Sequence, residues 1–251
     1  MDLGIENRTA VVCASTGGLG RAVAEALAAE GARVVVSGRR GDLARDIAAT
    51  LPGATGVAAD LSDPQVVRTL IDGPVDILVL NGPGPKPGRA ADLGEDDFAS
   101  AFDSLFRNQQ RLVEAALPGM RERGWGRILA IGSSGVAAPL AGLALSNMGR
   151  AALAGYLKTL AGEVAADGVT VNMLLPGRIA TDRVAALDQA VATRQGRTVE
   201  EVATAAQAAI PVGRYGTPAE FGAAAAFLCG ASASYITGTA VRCDGGLVQS
   251  L

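Results

Sequence analysis

The sequence predicts an α/β protein built on a single Rossmann-type doubly wound parallel sheet of about seven strands, with helices on both faces. Three observations carry this. Apolar, β-branched runs alternate with alanine-rich helical stretches along the whole chain, the pattern of repeated βαβ units. A glycine-bearing stretch, Val11 to Gly20, lies where the first strand stops and the first helix starts, the place where such sheets receive phosphate. The length, 251 residues with 49% hydrophobic and 19% charged, is enough for one large core and suits one domain over residues 1–251.

Each element has a local reason. Thr9 to Ala14 is a continuous apolar run suited to a buried parallel strand, and Leu19 to Glu30 is a helix stopped by Gly31. Arg33 to Ser37 reads as the second strand, Asp42 to Leu51 as a helix, and Gly56 to Ala59 as a short strand ending at Asp60. Ser62-Asp63-Pro64 opens a helix, with a capping side chain ahead of proline in the first turn. Val75 to Leu80 is the fourth strand, and a Gly/Pro loop from Gly82 to Gly88 follows. Helical periodicity then runs from about Glu95 to Arg123, with a strand from Arg127 to Ile131. Helix Leu143 to Ala166, strand Thr170 to Leu175, helix Pro218 to Cys229 and strand Thr239 to Cys243 complete the alternation. Between the last two βα units, Thr181 to Ile210 is helical, of mixed charge, and long for a connection. It reads as a lid over a site, with a decorative surface pair of helices as the alternative.

Composition narrows the partners. A net charge of −3 with no basic run leaves no electrostatic footprint for nucleic acid, so a small molecule is the expected partner. Cys13, Cys229 and Cys243 are odd in number and far apart, which suits neither a disulfide framework nor a metal site and fits a reducing cytosol. The first residues carry no basic region followed by an apolar core, so a cytoplasmic location is expected. Two uncharged windows, Ile128 to Met148 and Phe221 to Val241, are broken by Gly, Ser and Thr and read as strand, loop and helix pieces, so no membrane is involved.

The candidate site is read from the carboxyl ends of the strands, where ligands of such sheets bind. After the first strand come Ser15, Thr16, Gly18, Leu19 and Gly20, a turn able to cradle pyrophosphate at a helix N-terminus. The glycine that usually makes the tight turn just after the strand is replaced by Ala14. The second strand ends in Arg39 and Arg40, with no acid for a ribose 2′-hydroxyl. Two guanidinium groups suit a 2′-phosphate, so NADP(H) is preferred over NAD(H), the alternative being a solvated basic turn. The third strand ends in Asp60-Leu61, the fourth in Asn81-Gly82 and the sixth in Pro176-Gly177-Arg178-Ile179-Ala180-Thr181.

Order and spacing together resemble the short-chain dehydrogenase/reductases, especially the bacterial β-ketoacyl-acyl-carrier-protein reductases. The segments that carry the resemblance span the chain: Leu117-Pro118-Gly119-Met120, Trp125-Gly126-Arg127-Ile128, Val171-Asn172, Gly213 to Pro218, Tyr235 to Gly238 and Asp244-Gly245-Gly246. The resemblance implies Asp60 and Leu61 at the adenine, Asn81 and Gly82 beside the adenine ribose, and Pro176, Gly177, Ile179 and Thr181 bordering the nicotinamide, Thr181 bonding its carboxamide. It also implies a homotetramer (or homodimer), with helices around Leu105 to Met120 and Leu153 to Val164 pairing across one interface.

The chain departs from the family where the family does its chemistry. Ser146 stands in place of the catalytic tyrosine and Arg150 in place of the lysine, while Ser133 keeps the serine, with Ser134 as its neighbouring alternative. Leu105 aligns with the tetrad's asparagine, and Leu80 and Pro83 alter the usual Asn-Asn-Ala-Gly turn. Ser146-Asn147-Met148-Gly149-Arg150 resembles a divergent subgroup carrying Ser-Asn-x-x-Arg here. A phenol of pKa ~10 can hand a proton to a carbonyl oxygen as hydride arrives on carbon. Serine is a far weaker acid, and the chain has no histidine to relay a proton. Arginine is a fixed cation able to hold a ribose hydroxyl, a carboxylate or an oxyanion, and four residues from Ser146 it shares that serine's helix face; the resemblance implies that Arg150 also inherits the lysine's contact with the nicotinamide ribose and so binds cofactor. Tyr156 and Lys158 are read as packing residues. The expected function is an NADPH-dependent carbonyl reductase that works by positioning. The alternatives are an isomerase or lyase on the same fold, or a non-catalytic NADP-binding protein in which Ser133 and Ser146 only satisfy backbone groups.

Overall fold

The computed structural model of the protein describes Asp2 to Gln249. Seven strands form one parallel sheet: β1 (Thr9–Val12), β2 (Arg33–Gly38), β3 (Thr55–Ala58), β4 (Ile77–Leu80), β5 (Gly126–Ile131), β6 (Val169–Pro176) and β7 (Ala240–Cys243). Their spatial order is β3-β2-β1-β4-β5-β6-β7, and all pairs are parallel. The order reverses between β1 and β4, so a crevice opens there at the strands' carboxyl ends.

Side-chain alternation explains why the sheet is covered twice. Val12, Ile77 and Val79 face one layer with Leu27 of α1 (Gly18–Ala29) and Phe221 of α9 (Pro218–Cys229). Their neighbours Val11, Leu78 and Leu80 face the other layer, with Leu112 of α5 (Asn108–Glu122) and Leu157 of α6 (Ala144–Val164). A period of two along strands buried on both sides produces the continuous apolar runs seen in the sequence. No helix is long and apolar enough to cross a membrane among the described residues. The windows 128–148 and 221–241 divide into strand, loop and helix segments as expected.

The helix expected over 42–51 is α2 (Gly41–Ala49), and three expected elements differ. The first strand stops at Val12 rather than Ala14, because Ala14 takes a positive φ of 47° and turns the chain out of the sheet. Ser62-Asp63-Pro64 starts no helix; Asp60 and Asp63 accept from the amides of Ser62 and Gln65 in two tight turns, and only α3 (Val66–Leu70) is helical. The span 95–123 is α4 (Glu95–Phe102), a π-helical turn over Asp103–Arg107, and then α5. The segment 181–210 folds as α7 (Asp182–Gln195) and α8 (Val199–Ala208), joined through Gly196 at φ +64°.

Candidate active site

The phosphate turn has the features an anion needs. Helix α1 starts at Gly18 with no side-chain cap, so its first-turn amides are left for another partner. A Cβ added at Gly17 or Gly18 would meet nothing within 4 Å, so the turn faces open space. Gly20 is the opposite case, since its Cβ would lie 2.6 Å from the Ala14 carbonyl and 2.7 Å from Asn81 Nδ2. Asn81, at the end of β4, donates Nδ2 to Ala14 O at 3.1 Å, across the crevice. Ser15 is fully buried: its hydroxyl donates to Val12 O (2.7 Å) and accepts from Ser37 N (2.9 Å). Ser15 therefore fixes the turn and does not offer its side chain to a ligand. Leu19 and Leu61 are half-buried and pack against the two core layers. Gln109 donates to Asn81 O at 3.5 Å beneath Gly82, closing this side of the crevice.

Arg39 and Arg40 lie exposed just past β2, and neither has a carboxylate within 4.0 Å among the described residues. Thr16 packs against Gly38, whose Cβ would lie 2.7 Å from Thr16 Cγ2, so the phosphate turn and the arginine-bearing end of β2 adjoin. Asp60 is held below the usual carboxylate range by hydrogen bonds from Ser62 and, more weakly, by the charge of Arg39. An uncapped helix start, open glycines and two unpaired guanidiniums in one crevice fit a nucleotide carrying a 2′-phosphate.

The end of β5 carries the second half of the site. Arg150 donates Nη1 to Ile131 O at 2.7 Å and Nε to Ser146 Oγ at 3.3 Å, so helix α6 brings Ser146 and Arg150 to the strand end that leads into Ser133. Ser133 caps the short 3-10 turn Ser134–Val136 by accepting from Gly135 N at 3.1 Å, while Ser134 is buried. Burial, with help from the charge of Arg183, pushes the Arg150 guanidinium down to about 10. It stays charged at neutral pH. Leu105 sits buried in the π turn against α6, where a Cβ at Gly149 would lie 2.7 Å from its Cδ1. Tyr156 stacks edge-on with Phe106, with ring centroids 5.7 Å apart, and Lys158 donates Nζ to Gly238 O at 2.8 Å. Tyr156 is thus half-buried against the core, whereas Lys158 is exposed and commits its ammonium to the Gly238 carbonyl.

At the end of β6, half-buried Pro176 leads into Gly177, which donates its amide to Cys243 O at 3.0 Å, and buried Ile179 forms a bridge with Gly216. Thr181 is the residue before α7, and its hydroxyl donates to Ile179 O at 3.3 Å. Asp188 and Arg183 escaped sequence reasoning, and the role of Asn147, a residue of the Ser-Asn-x-x-Arg stretch, was not legible there. Asn147 joins the 137–143 loop to α6 by accepting from Leu140 N (3.2 Å) and donating to Leu140 O (2.9 Å). Asp188 is buried on α7, taking Arg178 Nη1 at 2.5 Å and Tyr215 OH at 2.7 Å. Arg183, in the first turn of α7, lies over the backbone of Gly84. The cysteines are free; burial pushes the thiols of Cys13 and Cys229 up to about 12, so they are inert at neutral pH.

A doubly wound sheet with an uncapped phosphate turn at its switch point defines a dinucleotide-fold protein, and the comparisons say which kind. Residues 13–248 match the family described as Enoyl-(Acyl carrier protein) reductase. The chain is 33% identical over 252 residues to the 3-oxoacyl-[acyl-carrier-protein] reductase FabG of Vibrio cholerae, covering 98% of this chain and 99% of that one. Among solved structures, L-sorbose reductase of Gluconobacter frateurii complexed with NADPH and L-sorbose superposes with a TM-score of 0.94 at 30% identity, over 100% of both chains. YwfH, an NADPH-dependent reductase involved in bacilysin biosynthesis, does so with a TM-score of 0.92 at 29% identity, over 98% and 100%. The chain belongs to the short-chain dehydrogenase/reductase family of oxidoreductases and is similar to its FabG-type reductases.

Proposed function

We propose that this protein is an NADPH-dependent carbonyl reductase that works without the family's tyrosine and lysine. The observation that carries this reading is the bonded unit of Ser146, Arg150 and Ile131 O, which holds a hydroxyl and a cation at the carboxyl end of β5, beside the crevice. The NADPH-bound L-sorbose reductase of the same fold supports the cofactor and the reaction type.

Gly18, Gly20 and the first-turn amides of α1 hold the pyrophosphate, with Thr16 and Leu19 shaping the turn. Arg39 and Arg40 take the 2′-phosphate, Asp60 and Leu61 border the adenine, and Asn81 and Gly82 its ribose. Pro176, Gly177, Ile179 and Thr181 border the nicotinamide. When bound, the cofactor supplies hydride to the carbonyl carbon. Because Ser146 Oγ already accepts from Arg150 Nε, its own O–H is directed elsewhere and can donate to the substrate carbonyl. Ser133 offers a second hydroxyl. The positive charge of Arg150, acting through its bond to Ser146, favours the charge that develops on oxygen, in a partly water-excluded site where such charges act strongly. The oxygen then takes its proton from water, since neither serine is acidic enough to supply one at neutral pH.

The segment 181–210 serves as the lid, and the protein works in the cytoplasm as a homotetramer or homodimer. Gly155 and Gly162 of α6 face open space, which suits close helix approach across an interface, whereas Ala161 is buried and spent within the chain. Titration of NADPH fluorescence, followed by loss of its absorbance with a panel of carbonyl compounds, tests the reading. Binding with turnover supports it. Binding without redox points to isomerase, lyase or non-catalytic roles, and no binding removes the cofactor assignment.

A further inference from the structure

Arg150 and Arg183 approach the carboxyl ends of the neighbouring strands β5 and β4 from two different helices. Arg150 comes from α6, tied by two of its nitrogens to Ile131 O and Ser146 Oγ, which leaves the Nη2 edge of its fork uncommitted. Arg183 comes from the first turn of α7, and its Nη2 lies 3.0 Å from the point where a Cβ on Gly84 would stand, in the loop after β4. The two are near enough for the charge of Arg183 to act on Arg150. Neither has a carboxylate within 4.0 Å among the described residues, whereas nearby Lys86 is paired with Asp97 at 2.6 Å. Two like charges held together without a counter-ion are costly, and a bound anion would relieve them.

The same loop leads to a cavity. Gly84 also lines a space of about 340 Å³ with Pro83, Ala101, the Lys86–Asp97 ion pair and Leu145, the residue before Ser146. The wall is firm, because Gly88 donates to Gly142 O at 2.8 Å and accepts from Ala144 N, anchoring the β4 loop to the start of α6. This volume is at the lower end of the range for small-molecule sites, roughly 300 to 1,000 Å³.

We infer that Arg150 and Arg183 form an anion site for the carboxylate of the substrate, which is a small oxo acid whose remaining atoms occupy the cavity beside Leu145. A planar guanidinium meets a carboxylate with two parallel hydrogen bonds, so one from each helix would fix both the acid and the adjacent carbonyl relative to Ser146. The inference rests on the reductase reading for the carbonyl, but not for the acid.

Oxamate, a carboxylate that cannot be reduced at its amide under these conditions, separates the two. Binding of oxamate and of its neutral counterpart oxamide is measured by calorimetry on the protein saturated with NADPH, in low-chloride buffer. Oxamate should bind at least tenfold more tightly than oxamide. Arg183→Gln, a change at an exposed residue, should remove that difference while moving the Kd for NADPH less than twofold. In turnover, pyruvate, 2-oxobutyrate and phenylpyruvate should be preferred at least tenfold over their methyl esters in kcat/KM, and Arg183→Gln should abolish the preference. Equal binding of oxamate and oxamide overturns the inference. So does an Arg183→Gln protein that loses NADPH affinity instead, which would give the pair to the cofactor's pyrophosphate. Oxamate binding without NADPH consumption by any oxo acid supports the anion site and overturns the reductase reading alone.

Discussion

Asn81 Nδ2 donates to the carbonyl of Ala14 at 3.1 Å, joining the end of β4 to the turn after β1 across the point where the strand order reverses. The bond holds Ala14 in a conformation an L-residue resists, with φ at +47°. Gly20 lies directly beneath, within reach of both partners. The crevice that receives the nucleotide is thus shaped by a glycine where space is lacking and by an alanine where glycine is usual.

Ala14→Gly should therefore stabilise the protein. Relief of a left-handed alanine is worth ~1–2 kcal/mol, and the added freedom of glycine in the unfolded chain takes back ~0.5–1 kcal/mol. The unfolding free energy from urea titration should rise by the remaining ~0.5–1 kcal/mol, seen as a higher midpoint, with NADPH affinity retained. A fall in the midpoint would mean that the alanine methyl makes a contact the turn depends on.

Gly20→Ala should do the reverse, because its methyl would lie 2.6 Å from Ala14 O and the backbone there has to move. Overpacking of this kind costs ~1–3 kcal/mol. The shift in the first turn of α1 should also weaken NADPH at least tenfold, read by fluorescence titration. Normal stability with normal affinity would count against the role given to this turn.

Arg39→Ala with Arg40→Ala should weaken NADPH by about 1.5–3 kcal/mol per charge-assisted bond lost, with NADH hardly changed. Both arginines are exposed and lack carboxylate partners among the described residues, so folding should be unaffected. Equal losses for NADPH and NADH would remove the 2′-phosphate assignment.

The sheet and the phosphate turn were legible because buried parallel strands write themselves as apolar runs and helix starts as glycine turns. The π turn at Asp103–Arg107 was not, since one additional residue in a helical turn leaves the local composition unchanged. Asp188 read as one more charge on a solvated helix. It is buried because Arg178, ten residues upstream, and Tyr215, beyond α8, fold back onto it, and neither relation has a local signal. Arg183 was missed for the same reason, its relation to Arg150 and Gly84 being purely tertiary.

Asp188→Ala tests what that buried carboxylate does. It removes the acceptor for Arg178 and Tyr215 and should cost ~1–3 kcal/mol, tempered because Arg178 is partly open to water. Loosening should concentrate in α7 and α8, seen as faster amide exchange and proteolysis within residues 181–210, while β1 to β5 stay protected. Uniform loosening of the whole sheet would show that Asp188 supports the core and not the lid.

The last prediction concerns Ser146 and Arg150, where the chain departs most from its family. Ser146→Ala should reduce carbonyl reduction about tenfold or less, the worth of a neutral hydrogen bond of ~0.5–1.5 kcal/mol. An essential proton donor would typically be worth 10²-fold or more. Arg150→Ala should act more severely on both stability and turnover, since it leaves Ile131 O without its 2.7 Å donor as well as removing the cation. Ser146→Tyr with Arg150→Lys restores an acidic phenol and an ammonium on the same helix face. Leu105 packs against that face at Gly149, so Leu105→Asn should be added to restore the third polar group and make room for the ring. If the missing acid limits reduction, the triple variant should raise kcat on simple neutral ketones and shift the pH profile to show a new titrating group. A folded variant with unchanged or lower activity would mean that the site has been rebuilt around the arginine for a different reaction.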